Sequence, residues 1–526
     1  MRRGGVVVDQ ASGADLAGLS FEALTPTGFL DRAAAVHADR TAVIDGPLRL
    51  TYRELHDRCL RQAGALAGLG VAQGDRVAVL AANSPLLLES HFGVLYAGAV
   101  LVTLNIRLSA EELRHIVEHS GARLLLFDPE FAELAEAATE ALDGVRIVGP
   151  EEYERLRAEA APYRVPVADE RALMALNYTS GTTGHPKGVM YHHRGAYLQA
   201  LAMVGHFRLT PEVVYLWTLP MFHCNGWAFP WAVTAVGGTH VCLRRVEPAQ
   251  VWPLIVAERV TMLCAAPTVL ISLVAAAPAA LDGGRVTVAV GGAPPSPTLL
   301  RDCARIGFDV THLYGLTETF GPAAICDWRP EWSALPEEEQ SRLRARQGVS
   351  NLVSCAMRVL DAKGRDVPRD GQTIGEVALR GNTVMLGYYR DPAATRAAAP
   401  DGWLRTGDLG VLHPDGYLEL RDRAKDIIIS GGENISSIEV EAALASHPAV
   451  LEAAVVGVAD ERWGERPMAF VTLRPGAQAT TEELRAHVRA RLAAFKAPDR
   501  IELGELPKTS SGKIRKVTLK ARANGG

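Results

Sequence analysis

Three short apolar runs, Arg76-Val-Ala-Val-Leu-Ala, Ala122-Arg-Leu-Leu-Leu-Phe and Val286-Thr-Val-Ala-Val, alternate with helix-length amphipathic stretches. Runs of that length without polar alternation suit strands buried on both faces, and their interleaving with helices confines the chain to an α/β architecture with parallel sheets. With 526 residues, 48% of them hydrophobic, the chain holds about three domains' worth of material and can bury a large core. From 348 to 420 the texture changes. Asp361-Ala-Lys-Gly, Pro368-Arg-Asp-Gly and Pro414-Asp-Gly are turn sequences between short strands. After Arg421-Asp-Arg-Ala-Lys-Asp426 strands and helices alternate again for about 100 residues, enough for a small separate lobe. The expected organisation is a large N-terminal domain over 1–420 with a β-rich subdomain at 348–420, a hinge at 421–425, and a C-terminal domain over 426–526. Helix starts are expected at Ser109, Ser436 and Thr480, where Glu112, Glu439 and Glu483 stand three residues on and can complete capping boxes.

Composition excludes several functions. Lys and Arg number 55 against 60 Asp and Glu, a net charge of −5, so no basic footprint for nucleic acid is present. The N-terminus lacks the apolar segment of a secretion signal. The most apolar window, Leu86 to Leu104, contains Glu89 and His91 and reads as a buried helix and strand, not an integral membrane segment. Seven cysteines without a C-x-x-C spacing support neither a disulfide framework nor a zinc site, which makes the reduced cytoplasm the expected compartment. A homodimer stays open.

Lysine is scarce. The chain has eight, Lys187 being the sole one in the first 362 residues and four falling between 508 and 520. Lys187 closes the segment Tyr178-Thr-Ser-Gly-Thr-Thr-Gly-His-Pro-Lys-Gly-Val189, which follows the apolar stretch Ala172 to Leu176. Small and hydroxyl residues let backbone N–H groups and Oγ atoms close around phosphate oxygens, with the ammonium as a point charge. The spacing Gly181-x-x-Gly184-x-x-Lys187-Gly188 is not that of a Walker A loop, which disfavours a P-loop NTPase.

This segment resembles the signature loop of the adenylate-forming superfamily of acyl-CoA synthetases, luciferases and nonribosomal-peptide adenylation domains. Further motifs follow in the same order. Gly291-Gly-Ala-Pro294 resembles the adenine-side loop, Tyr314-Gly-Leu-Thr-Glu-Thr319 the nucleotide and magnesium motif, and Thr406-Gly-Asp408 the ribose motif. Arg423-Ala-Lys-Asp426 resembles the hinge, Ser430-Gly-Gly-Glu-Asn434 the thiol-side loop, and Pro507 to Arg515 the C-terminal lysine loop. The resemblance covers roughly residues 25 to 520. It implies two stacked α/β subdomains and a small β-barrel-like subdomain in the N-terminal domain, a hinge, and a small mobile α+β C-terminal domain.

The implied chemistry can be argued from the residues. A carboxylate is a poor electrophile, and joining it to AMP with loss of pyrophosphate turns its oxygen into a leaving group. Two anions must meet at the α-phosphate, so the site requires a divalent cation and fixed donors. The resemblance assigns Glu318 to Mg2+, and Thr179, Ser180, Gly181, Thr182, Thr183, Gly184, Lys187 and Thr317 to the ATP phosphates. It assigns Gly292, Ala293, Pro294, Tyr314 and Gly315 to the adenine side, and Asp408 and Arg423 to the ribose. Lys513 would bridge the carboxylate and the α-phosphate; a solvated basic tail is the alternative for this lysine-rich stretch, as a surface carboxylate is for Glu318 and a core side chain for Tyr314. A two-step cycle is implied, in which the lobe turns at Lys425 and replaces Lys513 by Gly431, Gly432 and Glu433 for attack by CoA. Luciferase-type relatives carry a lysine where this chain has Ile429.

The segment Pro220 to Trp231 resembles an acyl-pocket segment, most like those of short- and medium-chain fatty acyl- or methylthiopropionate-type CoA ligases. His223 would flank the carboxylate, while Trp227, with Phe207, Phe229 and Gly315, would wall and shorten the pocket. The expectation is an acyl-CoA synthetase using ATP, Mg2+, CoA and a short or medium-chain carboxylic acid. An acyl-AMP ligase loading a carrier protein and a luciferase-like or non-catalytic relative are the alternatives. The C-terminus is not the Ser-Lys-Leu address, and Lys513 and Glu318 are both present.

Overall fold

The apolar runs are strands of two large sheets. The computed structural model describes residues 22–179, 186–277, 284–353, 355–430, 433–460, 462–509 and 513–524. Ala122–Phe127 and Arg76–Leu80 lie side by side in a seven-stranded sheet, flanked by Arg146–Val148 on one side and by Val100–Thr103 and Leu173–Tyr178 on the other, all parallel. Gly188–His192 and Gly387–Tyr388 extend it antiparallel. Val286–Val290 is central to a nine-stranded sheet, in which Phe308–Leu316, Met262–Ala265, Val214–Leu216, Thr239–Val241 and Thr41–Asp45 run parallel to it.

Helices fill the space between the sheets. One apolar cluster joins Val43 and Cys264 of the nine-stranded sheet, Val79 and Leu101 of the seven-stranded sheet, and the helix Pro85–Tyr96, every residue of which is buried. The window Leu86 to Leu104 is therefore a buried helix followed by a strand. Among the described residues no helix is long and apolar enough to cross a membrane.

The β-rich region is an antiparallel sheet of Cys355–Leu360, Gly375–Gly381, Leu404–Leu412 and Leu418–Arg423, in that order. Its outer strand Leu418–Arg423 is tied in turn to Gly348, which donates to the Leu418 carbonyl at 3.3 Å and accepts the Leu418 N–H at 2.8 Å. The turns fall where Gly allows positive φ, Gly364 at 76°, Gly371 at 70° and Gly416 at 87°.

Ile428–Ser430 already belongs to a different sheet, with Glu433–Ile435, Gly464–Leu473, Val450–Asp460 and Arg500–Leu503. The chain thus passes between sheets across 424–427. Alternate residues of Val450–Asp460 face opposite ways. Val455 packs under the helices Ser437–Ala445 and Thr481–Arg489, whereas Ala454 and Val456 pack under the helix Lys516–Ala523. Capping boxes form at Ser109 and Thr480. At Ser436 the Oγ accepts the Glu439 N–H, but no return bond forms because the Glu439 carboxylate pairs with Lys496 at 2.6 Å.

Candidate active site

The site lies where parallel strands end, the place open α/β sheets leave for ligands. Leu173–Tyr178 leads into the Gly/Thr loop, Val286–Val290 into Gly291, and Phe308–Leu316 into the short helix Thr317–Thr319. Ser180, Gly181, Thr182, Thr183 and Gly184 lie outside the described residues, as do Gly431 and Gly432. The loop's two ends are joined, the Thr179 N–H donating to the Lys187 carbonyl at 3.0 Å. The Lys187 ammonium stands over the Tyr388 ring at 4.8 Å. Tyr388 in turn donates to Glu318 Oε1 at 2.8 Å. The lysine expected at the phosphates and the expected metal carboxylate are thereby set against one phenol.

Asp408, 4% exposed, is held from both sides. Tyr314 Oη donates to its Oδ2 at 2.7 Å and Arg423 Nε pairs with its Oδ1 at 3.1 Å. The Tyr314 ring is packed in a cluster with Val359, Val377, Leu379 and Leu418, so its hydroxyl is the part that organises the site. Gly315 is glycine for close approach: a Cβ there would lie 1.9 Å from the Gly321 carbonyl oxygen.

Lys513 lies inside this group. A Cβ on Gly292, whose φ is +88°, would come within 3.2 Å of its Cε. Ala293 and Pro294 continue that loop on the more exposed side. Burial, together with the nearby Arg423 charge, lowers the Lys513 pKa, opposed by Cys224, Asp408 and Glu318. His223 faces the same ammonium; burial and that charge lower it to about 4, so it is a neutral imidazole near pH 7.

The segment after His223 is strained. Cys224, Asn225, Gly226, Trp227 and Ala228 all have φ between 45° and 66°, a left-handed turn that costs roughly 1–2 kcal/mol for each non-glycine residue. It is held by packing. Trp227, 6% exposed, fills the space beside Gly291 and Gly321, where added Cβ atoms would lie 2.8 and 3.0 Å from the indole. The Cys224 thiol donates to Thr317 Oγ1 at 3.7 Å, and Tyr191 Oη to the Thr317 carbonyl at 2.6 Å. A cavity of 590 Å3 opens here, lined by Tyr178, Thr179, Phe222, His223, Cys224 and Thr317 among others.

The structure thus brings together Lys513, Gly292, Glu318, Lys187, Tyr314, Asp408, Arg423, His223 and Trp227. The Phe207 ring lies 5.9 Å from Phe229 in a run of aromatic contacts that continues to Tyr215 and Trp217, the last of which lies against Gly226, where an added Cβ would come within 2.7 Å of its ring. Glu433 lies exposed in the C-terminal sheet opposite Ser430. Sequence reading missed Tyr388, Tyr191 and Cys224 as supports; Tyr388 is some two hundred positions from Lys187, and no local pattern marks it.

An enzyme that joins an acid to a nucleotide by adenylation is the class this fold and site define. Residues 30–389 match the AMP-binding enzyme family and residues 439–513 the AMP-binding enzyme C-terminal domain. The chain is 44% identical to the peroxisomal acetate/butyrate–CoA ligase of Arabidopsis thaliana, over 96% of this chain and 95% of that one. It is 43% identical to 4-hydroxybutyrate–CoA ligase 2 of Metallosphaera sedula, over 99% of both. The o-succinylbenzoate CoA synthetase of Bacillus subtilis with its acyl-adenylate intermediate superposes with a TM-score of 0.81 at 32% identity, covering 94% of this chain and 97% of that one. The chain belongs to the AMP-binding enzyme family of the adenylate-forming superfamily. It is an ATP-dependent acid–thiol ligase, forming an acyl-AMP with release of pyrophosphate and then an acyl-CoA with release of AMP, and it uses ATP, Mg2+ and CoA.

Proposed function

We propose that this ligase activates a short-chain carboxylic acid. Trp227 carries the reading: wedged between Gly291 and Gly321, the indole shortens any pocket running past His223, and one methylene too many in such a pocket costs about 1–3 kcal/mol. The names of the relatives, acetate/butyrate–CoA ligase and 4-hydroxybutyrate–CoA ligase, agree with a small acid.

In the first half-reaction a carboxylate oxygen attacks the α-phosphorus and pyrophosphate leaves. Lys513 donates to the attacking carboxylate and to an α-phosphate oxygen, offsetting charge that develops as the two anions meet. Asp408, oriented by Tyr314 and Arg423, accepts the ribose hydroxyls. Lys187 and the Gly/Thr loop, including Thr182, hold the departing phosphates. Glu318 has the donor chemistry for Mg2+, a hard cation that takes one or two protein carboxylates beside phosphate oxygens and water; its Oε2 is left by Tyr388, which takes Oε1. Mg2+ when bound neutralises phosphate charge. His223, neutral, borders the acid without adding a cation.

For the second half-reaction we place the hinge at 421–425, with the lobe turning at Lys425 so that Gly431, Gly432 and Glu433 face the pocket as the CoA thiol attacks the acyl carbon and AMP leaves. Six described cysteines are free and buried, in keeping with a reducing compartment such as the cytoplasm.

The test is purified protein with ATP, Mg2+, CoA and a panel of acetate, butyrate, 2-methylpropanoate, 4-hydroxybutyrate, octanoate and benzoate, read by mass spectrometry. Acyl-CoA from the small acids with equimolar AMP is expected. Preference for octanoate or benzoate refutes the short-chain reading, and acyl-AMP accumulating without thioester points to a carrier-protein acceptor.

A further inference from the structure

Behind the ribose side, one carboxylate reaches from the N-terminal part to the C-terminal lobe. Asp422, 3% exposed, is the penultimate residue of the strand Leu418–Arg423, which is paired with Leu404–Leu412 and so belongs to the N-terminal part. Its Oδ1 accepts the Arg423 N–H at 2.8 Å, and its Oδ2 accepts the Ser437 N–H at 2.5 Å. Ser437 opens the helix Ser437–Ala445 of the C-terminal lobe. Lys516 donates to Ser437 Oγ at 2.5 Å and pairs with Glu441 Oε1 at 2.7 Å. Glu441 also accepts the Val455 N–H at 2.8 Å from the strand Val450–Asp460. The neighbouring Ser436 hydroxyl donates to the Arg421 carbonyl.

Lys516 is the first residue of the helix Lys516–Ala523, three residues after Lys513. Burial lowers its pKa, but Glu441 and Asp422 outweigh this and hold it above that of an ordinary lysine. Between Lys513 and the helix the backbone is fixed by the Arg515 N–H donating to the Pro507 carbonyl at 2.8 Å and by Thr509 Oγ1 accepting the Lys513 N–H at 3.0 Å. Anchoring Lys516 therefore anchors the loop that carries Lys513. The same Asp422 holds the backbone of Arg423, whose side chain holds Asp408. Arg423 and, through Ser437 and Lys516, the Lys513 loop are thus braced by one carboxylate.

We propose that Asp422 and Lys516 are positioning residues for adenylate formation: they latch the C-terminal lobe with Lys513 in the pocket, and a turn at Lys425 must release them. Asp422 stays with the N-terminal sheet, whereas Ser437, Glu441 and Lys516 travel with the lobe, so a turn breaks the Asp422–Ser437 bond and parts the Lys516 ammonium from Asp422, while the contacts of Lys516 with Ser437 and Glu441 persist within the lobe. Because the bond from Ser437 N–H to a buried carboxylate is charge-assisted and the ammonium lies beside it, the latch favours the first half-reaction and opposes the second. This inference rests on the two-step reading above.

The test uses the full chain with Asp422→Asn, Lys516→Met and the double variant. Acid-dependent ATP–pyrophosphate exchange is expected to fall about tenfold in each single variant through kcat, with KM for ATP little changed. Thioester formation from supplied acyl-AMP and CoA is expected to be unchanged or faster. The double variant should lose no more than either single one, because the two side chains act as a unit, and Lys516→Arg should restore most of the exchange. Hydrogen exchange of the backbone amides across 507–516, measured without substrates, should be faster in Asp422→Asn and Lys516→Met. Equal losses in both half-reactions, or unchanged amide exchange over 507–516, overturn the proposal. Wild-type protein inactive in both half-reactions refutes the ligase reading, and amide exchange then still decides whether Asp422 and Lys516 hold the loop.

Discussion

Tyr314 reaches from the nine-stranded sheet to donate its hydroxyl to Asp408 of the β-rich sheet at 2.7 Å. A residue 94 positions away thereby fixes the carboxylate that we propose takes the ribose. Removing the hydroxyl in Tyr314→Phe leaves the ring in its apolar cluster and frees one side of Asp408. A hydrogen bond to a charged group contributes about 1.5–3 kcal/mol, so KM for ATP should rise roughly tenfold or more while the thermal midpoint changes little. Initial-rate measurement against ATP checks this, and an unchanged KM contradicts it.

Trp227→Ala should open the pocket beside Gly291 and Gly321 and move preference toward longer or bulkier acids. kcat/KM measured from acetate to octanoate reads the shift; an unchanged profile places the indole away from the acyl chain.

Gly315→Ala tests close packing of the site's backbone. The new Cβ would lie 1.9 Å from the Gly321 carbonyl oxygen, a backbone atom that no side-chain rotation can move. Overpacking of this kind costs about 3 kcal/mol, seen as a fall of several degrees in Tm. Wild-type stability in the variant contradicts the close approach.

Two pH effects follow from burial. The Lys513 ammonium is disfavoured by burial and by Arg423, so kcat/KM for ATP should decline on the alkaline side with a midpoint below the ordinary lysine value of about 10.4. Lys513→Arg should move that limb upward. His223, lowered to about 4, is neutral in the fold while the unfolded chain takes up a proton near 6.5. The unfolded state thus binds more protons below that pH, and stability falls as pH drops from 6.5 toward 4. Urea unfolding across that range checks the slope, and an activity limb at 6.5 that disappears in His223→Gln contradicts a neutral His223.

Much of the fold was legible because buried parallel strands write themselves as continuous apolar runs: Arg76–Leu80, Ala122–Phe127 and Val286–Val290 are strands as their letters imply. Their partners were not. Pairings such as Val43 with His240 join distant parts of the chain, and strand order depends on packing of helices such as Pro85–Tyr96. The β-rich region announced its turns but not the order in which its strands pair. At the site, sequence singled out Lys187, Glu318, Asp408 and Lys513 but not Tyr388 or Asp422, whose roles exist only through contacts with distant residues. Asn225-Gly226 hints at positive φ; nothing in the letters foretells that Trp227 and Ala228 continue the left-handed turn.

The most direct test of the central claim, that Lys513 serves adenylate formation in a site that then makes the thioester, is to compare the two half-reactions in wild type and Lys513→Ala. Acid-dependent ATP–pyrophosphate exchange should fall by roughly a hundredfold or more, given what one transition-state donor contributes. Conversion of supplied acyl-AMP and CoA to thioester should continue near the wild-type rate. Near-normal pyrophosphate exchange in Lys513→Ala would contradict the account.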